Sequence, residues 1–245
     1  MIRSRWVDDV LELTIDRPGK RNALDRSMYE DLQRQVEYAG KDEKCAAIIL
    51  TGAGGIFTAG ADIADFREKR GDEDSPAVRF VRTLVQADVP LIAAVEGFAI
   101  GIGCTLLQHM DFVYSTAETR YRMPFVQLGL CPEVASTVLM ERIVGPRRAR
   151  EWLLQCRVFD GQEAFEAGFV TALAQAGHTL EMAHSTARDL AALPRTSLIR
   201  GKVLMRDAQK DDVLRALDVE VRAFADLLNS DETQEIFKAF LEGSR

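Results

Sequence analysis

The segment PFVQLGLCPEVAST, Pro124 to Thr137, contains one acidic residue, Glu133, among uncharged neighbours. A carboxylate in an apolar setting is poorly solvated, which raises its pKa and makes it a stronger base. A second reading is structural. Pro at a first helical position followed by Glu is a common helix opening, and an acid there suits the helix dipole. The local residues leave both readings open.

Two glycine-rich loops offer a partner for such a base. GAGGIFTAGADI and GIGC each follow a short apolar run and lead into a helical pattern. In an α/β sheet both would lie at the carboxyl ends of strands, where ligands bind. Free backbone N–H groups there can point at one anionic oxygen, and two that converge make an oxyanion hole. Other glycine-loop chemistries fail on spacing. Gly55 and Gly60 have P-loop separation, but Ala61-Asp62 follow where Lys-Ser/Thr is required. Gly101 and Gly103 begin a dinucleotide fingerprint, but Leu106 fills its third glycine position; Gly52 and Gly54 begin another, which Phe57 breaks. A G-x-S-x-G elbow is absent.

Cys45, Cys104, Cys131 and Cys156 form no C-x-x-C pair, and His109, His178 and His184 form no H-x-x-x-H pair, so no metal site is expected. The formal charge of −7 disfavours unaided binding to nucleic acid or an anionic membrane. No apolar run reaches membrane-spanning length. MIRSRWVDD has no apolar signal core and EGSR is no peroxisomal tripeptide, so a cytoplasmic protein with reduced thiols is expected.

The elements that must position these residues follow from periodicity. VDDVLELTID (7–16) predicts one strand and RPGKRNALD a loop. Asp25 predicts the N-cap of a helix through Ala39, with Met28, Leu32 and Val36 on one face. Buried strands are predicted at 45–52, 90–97 and 111–116, helices up to about Asp88 and from GIGCTLLQHM, and a short strand from Phe169 to Leu173. The charged stretch Arg67 to Asp74 is expected to be mobile. This rhythm predicts an α/β fold with a largely parallel sheet, giving way to helices near residue 190.

TGAGGIFTAGADI, VPLIAAVEGFAIGIGC and MPFVQLGLCPEVAST, in this order, resemble the three signature segments of the crotonase (enoyl-CoA hydratase/isomerase) superfamily. ELTIDRPGKRNALD resembles its first strand and loop, and SDETQEIFKAFLEG its last helix. The resemblance implies a ββα spiral over residues 1–190, with a C-terminal helical trimerisation region over 191–245 in the same structural unit. It implies an acyl-CoA thioester substrate, a homotrimer or dimer of trimers, and no cofactor beyond the coenzyme A that is part of the substrate. It assigns the oxyanion-hole N–H groups to Ala61 and Ile102. Backbone contacts to the adenine and pantetheine are implied around Ala23, Ala59, Asp62 and Ile63, and further substrate contacts at Phe98, Gly101, Thr105, Phe125, Pro132 and Val134. Lys238 resembles a position that can reach a neighbouring subunit's CoA.

A hydratase of this family needs two carboxylates. The resemblance puts them at Thr105 and Phe125, neither of which can act as a general base. Glu133 falls instead where Δ3,Δ2-enoyl-CoA isomerases similar to the peroxisomal type carry their single base. Among Leu130, Val134, Phe125 and Phe98, its pKa is expected to rise. Val134 departs from the pattern, where a glycine or small residue is usual, and could narrow the pocket. Asp111, Glu118, Glu141, His109 and the Arg147-Arg148-Arg150 cluster read as structural or surface groups. The leading expectation is an isomerase. Its rivals are a hydratase or other crotonase reaction using Glu133 alone, and a non-catalytic acyl-CoA-binding scaffold.

Overall fold

The computed structural model describes residues 1–67 and 74–241. Most of the stretch expected to be mobile, residues 68–73, lies outside them. The chain opens with β1 (Ile2–Val7) and β2 (Val10–Ile15), followed by α1 (Arg26–Lys41), β3 (Ala47–Gly52), α2 (Pro76–Gln86), β4 (Leu91–Val95) and β5 (Phe98–Ile100). Next come the one-turn α3 (Ile102–Thr105), β6 (Phe112–Ser115), β7 (Arg120–Arg122), α4 (Ser136–Val144), α5 (Pro146–Leu154), β8 (Phe159–Asp160), α6 (Gly161–Glu166) and β9 (Ala172–Leu173). Four helices finish the chain: α7 (Thr179–Ala191), α8 (Arg195–Asp207), α9 (Lys210–Leu228) and α10 (Asp231–Leu241).

The main sheet runs β1-β2-β3-β4-β6-β9, parallel throughout except for the antiparallel β1 edge. Its central strands are apolar on both faces because both are covered. Ile48 and Leu50 of β3, with Leu91, Ala93 and Val95 of β4, join the large core shared with α1, α2 and α9. Ala47, Ile49, Ile92 and Ala94 face the other way, onto Ala183 and Ala187 of α7. Asp25 caps α1 as expected, its carboxylate accepting the Met28 N–H at 3.0 Å. Among the described residues no helix is long and apolar enough to cross a membrane.

Three expectations are corrected. The single strand over 7–16 is a hairpin, turned at Asp8 with φ 52°; β1 is largely exposed and carries no apolar alternation to reveal it. A second sheet, β5-β7-β8, stands beside the first; its strands of two or three residues are too short for a periodic signal. Pro132-Glu133 does not open a helix. The helix begins at Ser136, and Glu133 lies in the loop before it.

Candidate active site

The two glycine loops are built to leave selected N–H groups unused. The loop after β3 is tied to the loop after β2 by Asn22, whose Nδ2 donates to the carbonyls of Ala53 (2.9 Å) and Ile56 (2.7 Å). Thr58 Oγ1 donates to Asn22 O at 2.6 Å and accepts from Gly60 N at 3.0 Å. A parallel bridge joins Leu24 to Ala61, with Leu24 N donating to Gly60 O and Asp62 N to Leu24 O, both at 2.8 Å. The Ala61 N–H is turned away from that bridge.

In the second loop, Gly101 takes φ 55° and ψ −124°, a conformation that a side chain would oppose. Its N–H is fixed to Arg122 O at 2.8 Å, and its carbonyl accepts from Cys104 N and Thr105 N. Ile102 is then the first residue of a helical turn, where an N–H has no intrahelical acceptor. Among the described residues, neither the Ala61 nor the Ile102 N–H donates to a protein acceptor.

Glu133 is half-buried and followed by two left-handed residues, Val134 (φ 66°) and Ala135 (φ 58°). The segment is held from several sides. Ser136 N and Oγ donate to Glu133 O at 3.1 and 2.6 Å. His109 Nε2 lies 3.0 Å from Val134 O, so this nitrogen carries the proton. Burial lowers the His109 pKa to about 4 and keeps the ring neutral. The Glu220 carboxylate of α9 accepts from Ala135 N (2.6 Å), Thr137 N (2.9 Å) and Thr137 Oγ1 (2.6 Å). Burial pushes the Glu220 carboxyl above the usual range, and these donors pull against that rise.

Two cavities meet at this point. One of about 310 Å3 is bordered by Tyr29, Val81, Val134, Leu217 and Glu220, with Arg26, Asp65, Asp74 and Arg79 also on its wall. The other, of about 450 Å3, is bordered by Ala59, Ile63, Gly101, Phe125, Leu128 and Ile236. Ala61, Ile102, Glu133 and Phe224 border both. A carbonyl group seated at this junction would present its oxygen to backbone donors and its adjoining carbon to a carboxylate. That combination suits proton abstraction beside a carbonyl.

Other residues singled out in the sequence fall elsewhere. Ala23, Asp62, Phe98, Thr105, Pro132 and Lys238 border neither cavity. Arg17 Nη1 donates to Ala23 O at 3.1 Å and pairs with Asp62 at 2.8 Å. Burial tends to raise the Asp62 pKa, but the Ala64 N–H and Arg17 hold it below the ordinary value. Thr105 is buried, its hydroxyl turned to the carbonyls of its own helical turn. Pro132 borders a separate groove beside α9, and Lys238 is exposed on α10. Asp111 accepts from Leu91 N and Lys202 Nζ, a structural role. Among the described residues no cluster of three or more His, Cys, Asp or Glu could hold a metal ion.

Glu220, Asp65 and Phe224 were not anticipated. Glu220 had a readable signal. It lies on the buried stripe of α9 with Val213, Leu217, Phe224 and Leu228, where a solvated acid has no place.

The chain resembles known proteins over nearly its whole length. The family model described as enoyl-CoA hydratase/isomerase matches residues 7–245. The chain is 31% identical over 235 residues to the 2,3-dehydroadipyl-CoA hydratase of Escherichia coli (strain K12), covering 95% of this chain and 92% of that protein. It is 30% identical over 209 residues to enoyl-CoA delta isomerase 2 of Rattus norvegicus, covering 82% of this chain and 53% of the relative. The structure of Pseudomonas aeruginosa OdaA superimposes with a TM-score of 0.94 at 36% identity, covering 98% of both chains. With the α/β architecture and two glycine loops meeting at one carboxylate, these matches establish that the chain is an enzyme of the enoyl-CoA hydratase/isomerase family, within the crotonase superfamily.

Proposed function

We propose that this enzyme shifts the double bond of a 3-enoyl-CoA thioester to the 2-position, using Glu133 as its single base. The observation that carries the reading is the shared border of the two cavities, where Ala61, Ile102 and Glu133 occur together. The acyl chain occupies the cavity bordered by Val134. The pantetheine arm occupies the one bordered by Ala59 and Ile63, residues that the family resemblance associates with coenzyme A.

In this reading the thioester oxygen accepts the N–H groups of Ala61 and Ile102. Glu133 takes a proton from the α-carbon, and the electron pair moves into a dienolate whose negative oxygen those donors stabilise. Losing one such donor typically costs about 3–4 kcal/mol. The protonated Glu133 returns the proton to the γ-carbon, so no net proton and no water is consumed. Thr105 and Phe125 stand where the resemblance puts hydratase carboxylates, which supports isomerisation over hydration. The chain's own donors and acid carry every step, with no cofactor beyond the substrate's CoA, and the enzyme works as a trimer or pair of trimers.

A second reading, hydration with Glu133 activating water, is favoured by the name of the Escherichia coli relative. Trans-3-hexenoyl-CoA and crotonyl-CoA, supplied separately, distinguish the two. The proposal expects a double-bond shift in the first and slow hydration of the second; rapid hydration without a shift would sink it. Glu133→Gln is expected to lower isomerase kcat by about 10²–10⁴-fold while CoA binding persists. Retained turnover would point to another base.

A further inference from the structure

Glu220 is a buried acid that the proposed chemistry does not use. It is 4 % exposed and borders the cavity assigned to the acyl chain. An ionised carboxylate in such a place needs a cation or several donors. Among the described residues no cation pairs with it. Its three donors are Ala135 N, Thr137 N and Thr137 Oγ1, so both oxygens are already engaged. A carboxylate held in this way is suited to fixing a backbone, not to exchanging a proton with substrate.

The backbone it fixes is the one that needs fixing. Val134 and Ala135 are consecutive left-handed residues, and for a β-branched side chain this conformation is a true outlier. It persists only where the surroundings over-determine it. Glu220 holds the far side of that turn, from Ala135 to Thr137, while His109 and Ser136 hold the carbonyls of Val134 and Glu133. Relaxation of either residue toward ordinary φ would re-aim the chain immediately after Glu133.

We infer that Glu220 is a positioning residue: by capturing Ala135 and Thr137 it maintains the left-handed Val134–Ala135 turn that delivers Glu133 to the junction of the two cavities. This rests on Glu133 being the base. In Glu220→Gln an amide NH2 replaces one acceptor oxygen and must oppose one of the three donors. The expected result is a fall in kcat of about 10–100-fold per folded molecule, with KM changed by less than about twofold. Adding Ala135→Gly, which enters the left-handed region without a steric penalty, should recover part of that loss. If Glu220→Gln yields too little folded protein, Thr137→Val removes one donor and leaves the carboxylate; a smaller loss, again in kcat and not KM, is expected.

An unchanged kcat per folded molecule, or a loss that Ala135→Gly leaves untouched, overturns the positioning role. Glu133→Gln, assayed beside these variants, reports separately. Turnover retained there removes the base assignment itself, whereas turnover lost there with Glu220→Gln fully active removes only the role of Glu220.

Discussion

Helices α4 and α7 both begin on a glutamate from a distant part of the chain. Glu220 accepts Ala135 N, Thr137 N and Thr137 Oγ1. Glu96 accepts Gly177 N at 3.0 Å, Thr179 N at 3.4 Å and Thr179 Oγ1 at 2.8 Å. The pattern is the same: one N–H, the N–H two residues on, and that residue's threonine hydroxyl. The captured turns differ. At α7 the left-handed residue is Gly177, φ 84°, and the cost of that conformation is small. At α4 it is Val134 and Ala135, both buried, with Val134 in a cavity wall. Strain of about 1–3 kcal/mol per residue is tolerated there. Where a turn only starts a helix, glycine suffices. Where it also shapes a binding space, the side chain is kept and its neighbours hold the backbone.

The largest expected effect on stability concerns His109, which braces only the α4 turn. Burial lowers its pKa from 6.5 to about 4. A depressed folded value means the unfolded chain binds the proton more readily. The contribution is therefore complete above about pH 6.5 and is lost as pH falls toward 4, about 3 kcal/mol in all. Urea unfolding between pH 7 and 4 should show this slope, and His109→Gln should flatten it. A variant as acid-sensitive as its parent would remove His109 as the cause.

A smaller effect is expected at α7. Glu96→Ala should lower stability by about 1 kcal/mol, as loss of a helix cap does, and leave kcat unchanged. A drop in kcat comparable to that of Glu220→Gln would break the contrast between the two turns.

Val134→Gly should change stability least. Glycine relieves the left-handed strain of about 1–3 kcal/mol, while the lost side-chain burial costs about 1.5–3 kcal/mol. The thermal midpoint should move little. The acyl space widens, so kcat/KM for a longer or branched enoyl thioester should rise relative to a short one. An unchanged ratio would mean that Val134 does not limit the substrate.

Much of the framework was legible. The apolar runs behind β3, β4 and β6 announced buried parallel strands, and Asp25 announced α1. The glycine loops suggested an oxyanion hole, and the family resemblance assigned its N–H groups to Ala61 and Ile102 and the base to Glu133; all three border both cavities. Less legible were features set by distant contacts. Pro132-Glu133 has the local form of a helix opening, but the left-handed turn at Val134–Ala135 delays the helix to Ser136. The family resemblance implied Phe98 and Thr105 beside the substrate. Neither borders the two cavities, and the Thr105 hydroxyl turns back onto the carbonyls of its own helical turn.

By itself, then, the sequence determined the buried strands β3, β4 and β6, the glycine loops and the helix α1, because backbone periodicity and glycine placement are local properties, and its signature segments carried the resemblance to the family. Only the tertiary structure decided how Glu133 is aimed. That depends on a carboxylate 87 residues further along the chain, from Glu133 to Glu220, meeting N–H groups that local sequence would have assigned to a helix. A buried charge finds its donors in space, and no spacing along the chain specifies which ones.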